Sequence, residues 1–232
     1  LPAAVSVEVD KSASLPYMGG MRGNVLLGAL LGGIAAAGAA DGGWIRMFDG
    51  RTLEGWRSNE ETPGVVSAED GALKVSGGRA HLFYTGPDGR ASFTNFEFRC
   101  QVRTAPGANS GIYFHTAFQE KGWPGRGYEC QVNNTHKDPR KTGGLYAICD
   151  VLHTSPARDE EWFDYQIRVE GRRIRIAING TTTADWTEPE QWTSPANMPG
   201  RRLSSGTIAL QAHDPKSTIW YRNLEVRHLP SP

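Results

Sequence analysis

From Trp44 onward, apolar and polar residues alternate in short runs, and this alternation constrains the fold more than any other feature of the chain. Phe96, Phe98, Cys100 and Val102 interleave with Glu97, Arg99, Gln101 and Arg103, and Tyr165, Ile167 and Val169 with Gln166, Arg168 and Glu170. A period of two sends each set to its own side of an extended strand. Turn residues separate the runs at short intervals, and no helical period persists for more than a few turns. An all-β domain is expected.

Ile174, Ile176 and Ile178 lead into Asn179-Gly180 and out through Thr181 to Trp186, the pattern of a hairpin closed by a type I′ turn. Ile208, Leu210 and Ala212 alternate with Ala209, Gln211 and His213, and a last strand is expected from about Ile219 to Leu229. About a dozen strands in one domain imply two packed sheets. The loops over 117–126 and 188–203, rich in Pro, Trp and Gly, are long enough to shape a rim. With no repeat and no interdomain linker, residues 41–232 read as a single β-sandwich domain.

The N-terminus reads differently. Met21-Arg22 precedes VLLGALLGGIAAAGAA (Val25 to Ala40), an apolar stretch ending in small residues. Residues 21–40 are expected to be a signal peptide, and residues 1–20 an unstructured extension or a mis-assigned start. The domain would then act in the periplasm or outside the cell. The alternative is a retained N-terminal anchor, but the stretch is shorter than the ~20 residues a spanning helix needs. Membrane association is expected only if that segment is kept.

Lys and Arg number 25 and so do Asp and Glu, so no net charge steers the chain toward nucleic acid. Cys100, Cys130 and Cys149 have no metal-type spacing, and the first two fall on apolar strand faces. Buried small hydrophobes are expected, with a single disulfide as the alternative.

The stretch GYECQVNN (Gly127 to Asn134) sets Tyr128, Cys130 and Val132 against Glu129, Gln131 and Asn133. One acid and two carboxamides in a row are poor strand formers that gain little from facing water, but they can grip a sugar. If the strands holding Arg99 to Arg103, Gly111 to His115, Glu129 to Asn133 and Gln211 to His213 share one sheet, their polar faces pool into a cleft. Direct double-displacement glycoside hydrolysis is disfavoured, because Gln131 stands where a second carboxylate would be. There is no nucleophile elbow, phosphate loop or His-Glu-x-x-His. Asp159 to Glu161 read as a solvated loop.

In order, FDGRTLEGW (Phe48 to Trp56), AEDGALKV (Ala68 to Val75), NSGIYF (Asn109 to Phe114), YECQV (Tyr128 to Val132), TGGLY (Thr142 to Tyr146), ING (Ile178 to Gly180), GTIALQAHD (Gly206 to Asp214) and WYRNLEV (Trp220 to Val226) resemble the 3-keto-disaccharide hydrolase domain family. The similarity runs from about Trp44 to Leu229. It implies a concanavalin A-like jelly-roll sandwich with a saccharide cleft on the concave sheet, in exported bacterial proteins. It also implies action on sugars oxidised to a ketone at carbon 3. Such a ketone acidifies the proton on carbon 2, so one base, one acid and an enolate stabiliser suffice to expel the oxygen on carbon 1, after which water adds.

The matching positions are Asn109, Ser110, Glu129, Gln131, Gln211 and His213, with Tyr146 and Arg222 as further sugar contacts. Glu129 or His213 is expected to be the general base and the other the acid, with Arg103 or His115 stabilising the oxyanion. Two residues depart from the family pattern: Asp214 stands where Gly is frequent, and Phe163 where Asn is. Asp214, counted among the substrate contacts, could tune His213, form a metal site with Glu129, or mark drift from catalysis. No cofactor is demanded; a divalent cation would strengthen enolate stabilisation, but no ligand spacing requires one. Two other readings compete with the enzyme. One is a carbohydrate-binding module using Trp123 and Trp192 as platforms. The other is an accessory subunit docked on a protein partner.

Overall fold

The computed structural model of the chain describes residues 43–59, 61 and 65–231, so the extension and the leader expected over 1–40 lie outside the described residues. In chain order the strands are β1 (Ile45–Arg46), β2 (Trp56–Ser58), β3 (Val66–Glu69), β4 (Ala72–Ser76), β5 (Ala80–Tyr84), β6 (Phe96–Thr104), β7 (Ser110–Thr116) and β8 (Tyr128–Val132). They continue as β9 (Arg140–Leu145), β10 (Cys149–Leu152), β11 (Phe163–Glu170), β12 (Arg173–Ile178), β13 (Thr181–Thr187), β14 (Thr207–Ala212) and β15 (Thr218–His228). No helix occurs among the described residues.

The strands form two antiparallel sheets. One runs β13-β12-β11-β6-β15-β4-β3, with β1 also paired to β15; the other runs β10-β9-β8-β7-β14-β5-β2. The alternation explains the packing between them. Phe96, Phe98 and Val102 of β6 and Tyr165, Ile167 and Val169 of β11 are buried from one sheet; Ile112, Phe114, Tyr128, Cys130 and Leu210 meet them from the other. Each large apolar side chain removed from water contributes roughly 1.5–3 kcal/mol. Core tyrosines keep their hydroxyls paired, Tyr165 donating to the Gln131 carbonyl at 3.0 Å. The β12–β13 hairpin turns at Asn179 and Gly180, both with positive φ (49° and 76°), as a type I′ turn requires. Cys100, Cys130 and Cys149 are free thiols, and burial raises the first two well above the ordinary thiol range.

The two sheets differ on their outer faces. β6 and β11 leave their polar sets at least partly exposed, whereas every residue of β5, β7, β8 and β14 is buried. Something therefore covers the outer face of the seven-stranded sheet. In part it is the 117–126 loop, whose Phe118 packs on Phe83, Tyr113 and Ala209.

The fold also corrects one expectation. β6 lies in the larger sheet, so Arg99 to Arg103 cannot share a face with β7, β8 and β14.

Candidate functional site

A cavity of about 530 Å³ opens on the outer face of the seven-stranded sheet, floored by Tyr113, Glu129, Gln131 and Gln211 and rimmed by residues 123–127 and 197–201. Both loops expected to shape a rim do so. They are tied together where the Gly127 amide donates to the Gly200 carbonyl at 2.9 Å. Gly200 has no room for a side chain, since a Cβ there would sit 1.9 Å from the Gly125 carbonyl oxygen.

Glu129 is the centre of the floor. Its Oε2 accepts from Arg201 Nη2 at 2.9 Å and its Oε1 from Gln211 Nε2 at 3.0 Å. The same Gln211 nitrogen lies 3.0 Å from the Tyr113 hydroxyl. Both carboxylate oxygens thus accept from donors already in place. Arg201 and Glu129 side chains are only 8% and 7% exposed, so the pair sits in a low-dielectric setting where its charges act strongly.

Gly111 lets the carboxylate lie flat on the sheet. A Cβ on Gly111 would fall 2.5 Å from Glu129 Oε1 and 2.9 Å from its Cγ. With Arg201 and Gln211 holding the far end, Gly111→Ala is expected to displace Glu129 and lower turnover on the order of 100-fold without changing the charge of the site. Assay of the purified variant beside a circular-dichroism check of its fold tests this. Undiminished turnover would show that the position of the carboxylate is immaterial.

His213 forms a second centre at the cavity wall. Its Nδ1 lies 2.9 Å from Asp214 Oδ2, and that carboxylate also accepts from Ser217 Oγ (2.8 Å) and the Lys216 amide (2.9 Å). Burial acts to raise the Asp214 carboxyl, but these hydrogen bonds outweigh it and hold the group below its ordinary range. The Asp214 bond fixes the imidazole plane and leaves Nε2 for the cavity. Asp214 is thus the orienting partner of His213. Among the described residues, no three His, Cys, Asp or Glu side chains gather as a metal-ligand set.

The remaining expected residues divide. Asn109, Gln131, Tyr146 and Gln211 line the cavity with Glu129 and His213. Gln131 donates to Asn109 Oδ1 at 2.9 Å, which orients both carboxamides. Ser110 does not line the cavity: its Oγ bonds the Gln211 carbonyl and Tyr221 hydroxyl, on the core side of β7. Arg103 and Arg222 lie on the larger sheet, stacked over Trp162 at 5.1 and 4.0 Å, away from the cavity. His115 is also displaced. With φ of 54° it packs against Phe96 and Phe114; Nδ1 accepts from the Ser204 amide and Nε2 meets the Thr94 carbonyl. Burial pushes it down to about 4, so it is a neutral structural group with both nitrogens used.

Trp123 lines the cavity, 43% exposed, but Trp192 is no platform. Its Nε1 donates to the Arg201 carbonyl at 2.6 Å and its ring packs on Trp186, which props Arg201 from behind. Sequence reasoning missed Arg201, which lies in a loop with no period to place it. Tyr113 is legible in the sequence as a polar-face residue of β7, in phase with Gly111.

The chain matches the family described as the 3-keto-alpha-glucoside-1,2-lyase-like domain over residues 43–227. A 3-keto-disaccharide hydrolase of Bacteroides thetaiotaomicron is 25% identical, aligned over 81% of this chain and 79% of that protein. Among solved structures, a Parabacteroides distasonis protein provisionally designated a glycosyl hydrolase superposes with a TM-score of 0.69 at 19% identity, covering 81% of this chain and 94% of that one. The carbohydrate-binding module CBM66 of Bacillus subtilis superposes with a TM-score of 0.51 at 14% identity, covering 75% and 96%. At those identities the two superpositions establish the sandwich fold alone.

Proposed function

Because the chain belongs to the 3-keto-α-glucoside-1,2-lyase-like domain family, we propose that it cleaves 3-keto glycosides by elimination across carbons 1 and 2 followed by addition of water. The observation that carries this reading is one buried carboxylate, Glu129, held by Arg201 and Gln211, in the same cavity as a His213 oriented by Asp214. Direct displacement would call for a second carboxylate beside the first. Elimination from a ketosugar needs only an acid–base pair and a cation.

Glu129 removes the proton from carbon 2, and the electron pair of that C–H bond becomes an enolate delocalised onto the carbon 3 oxygen. The enolate collapses to a C1=C2 double bond as the C1–O bond breaks, and His213 delivers a proton to the departing oxygen through Nε2. Water then adds at carbon 1, giving a proton to His213, while Glu129, its proton exchanged with solvent once the aglycone has left, protonates carbon 2. Arg201 and the Tyr113 hydroxyl, both beside Glu129, take the stabilising role that sequence reasoning gave to Arg103 or His115.

Glu129→Gln and His213→Ala are each expected to lower aglycone release from a 3-keto glycoside by ~100-fold or more. In deuterium oxide the released 3-keto sugar should carry deuterium at carbon 2. Product free of deuterium there would sink the elimination step, and wild-type rates in both variants would sink the residue roles.

The exposed Trp123 favours a second reading, a binding module. Tight binding of an unoxidised saccharide with no turnover of its 3-keto form would select it. The site of action that goes with the expected leader is the periplasm or beyond, and N-terminal mass analysis of the protein purified from its native host tests this.

A further inference from the structure

We infer that His81 is a further substrate-contact residue of this cleft, hydrogen-bonding a saccharide hydroxyl once the Trp123 indole that covers it turns outward. The inference rests on the cavity being a saccharide cleft.

His81 lies on β5 directly opposite Gln211 of β14, so the two side chains leave the sheet on the same face. It is fully buried, yet neither ring nitrogen has a hydrogen-bond partner among the described residues. Its ring packs against Tyr113 at 5.6 Å, Trp123 at 5.5 Å and Phe83 at 6.2 Å, with the charges of Glu61 and Arg79 near enough to act on it. The backbone does not need the imidazole, because the His81 amide donates to Asn59 Oδ1 at 2.8 Å. Packing alone would thus be served better by a phenyl ring, which fills similar space and buries no unpaired polar atom. A polar group kept where it weakens the fold is characteristic of a binding site.

Trp123 both lines the cavity and packs on His81, and unlike the buried Tyr113 it is exposed enough to turn. Its ring is tilted 34° to His213 at 5.4 Å, edge-on to His81, under the Arg79 guanidinium at 5.4 Å, and 43% exposed. The backbone around it is braced. Gln119 bonds the Lys121 and Trp123 carbonyls and the Gly125 amide, and the Gly122 amide donates to Glu61. The movement is therefore a rotation of the indole, which would open a subsite floored by His81 and walled by the indole face. A sugar ring suits that subsite, with an apolar face for the indole and a hydroxyl that both donates and accepts for a neutral imidazole. Burial keeps the imidazole neutral, pushing it down to about 3.

His81→Phe separates this role from a structural one. Assayed on a chromogenic 3-keto-α-glucoside, the variant should melt at or above the wild-type temperature and show about a tenfold higher KM with a smaller change in kcat. An unchanged KM in a folded variant overturns the inference. Should the variant fail to fold, histidine-labelled nitrogen NMR of the wild type with 3-keto-glucose, the sugar that the proposed reaction releases, decides. The His81 ring signals should shift together with those of His213, and a His213 shift without one at His81 overturns the inference. Silence at both histidines overturns it as well, by removing the saccharide cleft. A wild type that turns over no 3-keto glycoside but shows the His81 shift would instead refute the catalytic reading and leave this one standing.

Discussion

Arg201→Met is expected to lower turnover by about 100-fold or more and to destabilise the fold by roughly 3–5 kcal/mol. The partners are 2.9 Å apart and almost wholly buried, so removing the guanidinium strands the Glu129 carboxylate away from water with only neutral donors around it. That desolvated charge dominates the loss; the pair itself adds little beyond an apolar replacement. Combining Arg201→Met with Glu129→Gln should therefore recover much of the stability and none of the activity. Denaturant unfolding of the two single variants and the double variant measures the coupling directly. A cost within the ~0.5 kcal/mol typical of surface substitutions would mean that the pair is not buried as described.

Acid is expected to unfold the domain through its histidines before its carboxylates take part. His115 is pushed down to about 4 and His81 to about 3, in both cases chiefly by burial. A group depressed in this way binds fewer protons folded than unfolded. Stability is thus complete above the ordinary histidine value of 6.5 and falls as pH drops toward the folded value. At 1.36 kcal/mol per pH unit, each histidine costs roughly 2–3 kcal/mol by pH 4.5, a large share of the 5–15 kcal/mol that holds a typical domain. The denaturation midpoint should fall steeply between pH 6.5 and 4.5, and His81→Phe should halve that slope. Glu61, Glu69 and Asp214, held below their ordinary range, add their loss only at lower pH. A flat midpoint down to pH 4.5 would show that both imidazoles reach solvent.

Glu129 and His115 mark how far sequence reasoning reached into the site. Glu129 was legible because three polar residues on one strand face made little sense as a solvated surface, and the face proved buried. His115 has the same parity as Tyr113, but its positive φ breaks the alternation and turns its ring onto Phe96. A departure of that kind leaves no mark in the pattern of side chains. His81 shows the opposite failure. It stands in an otherwise apolar strand whose two faces are both covered, so its polar character carried no phase information.

Period-two alternation is a local property, and by itself it determined the strands, the Asn179-Gly180 hairpin, the residues that fill the core and the polar row from Glu129 to Gln131. The sheet to which each strand belongs is not local. β6 and β8 alternate alike, yet pairing sends Arg103 to one outer face and Glu129 to the other. Only the tertiary structure brought Arg201 to Glu129 across 72 residues of chain, laid Trp123 over His81 and turned Asp214 to His213. Loops carry no period, and their path is decided by close approaches such as Gly200 on Gly125, which exist only once the sandwich has formed.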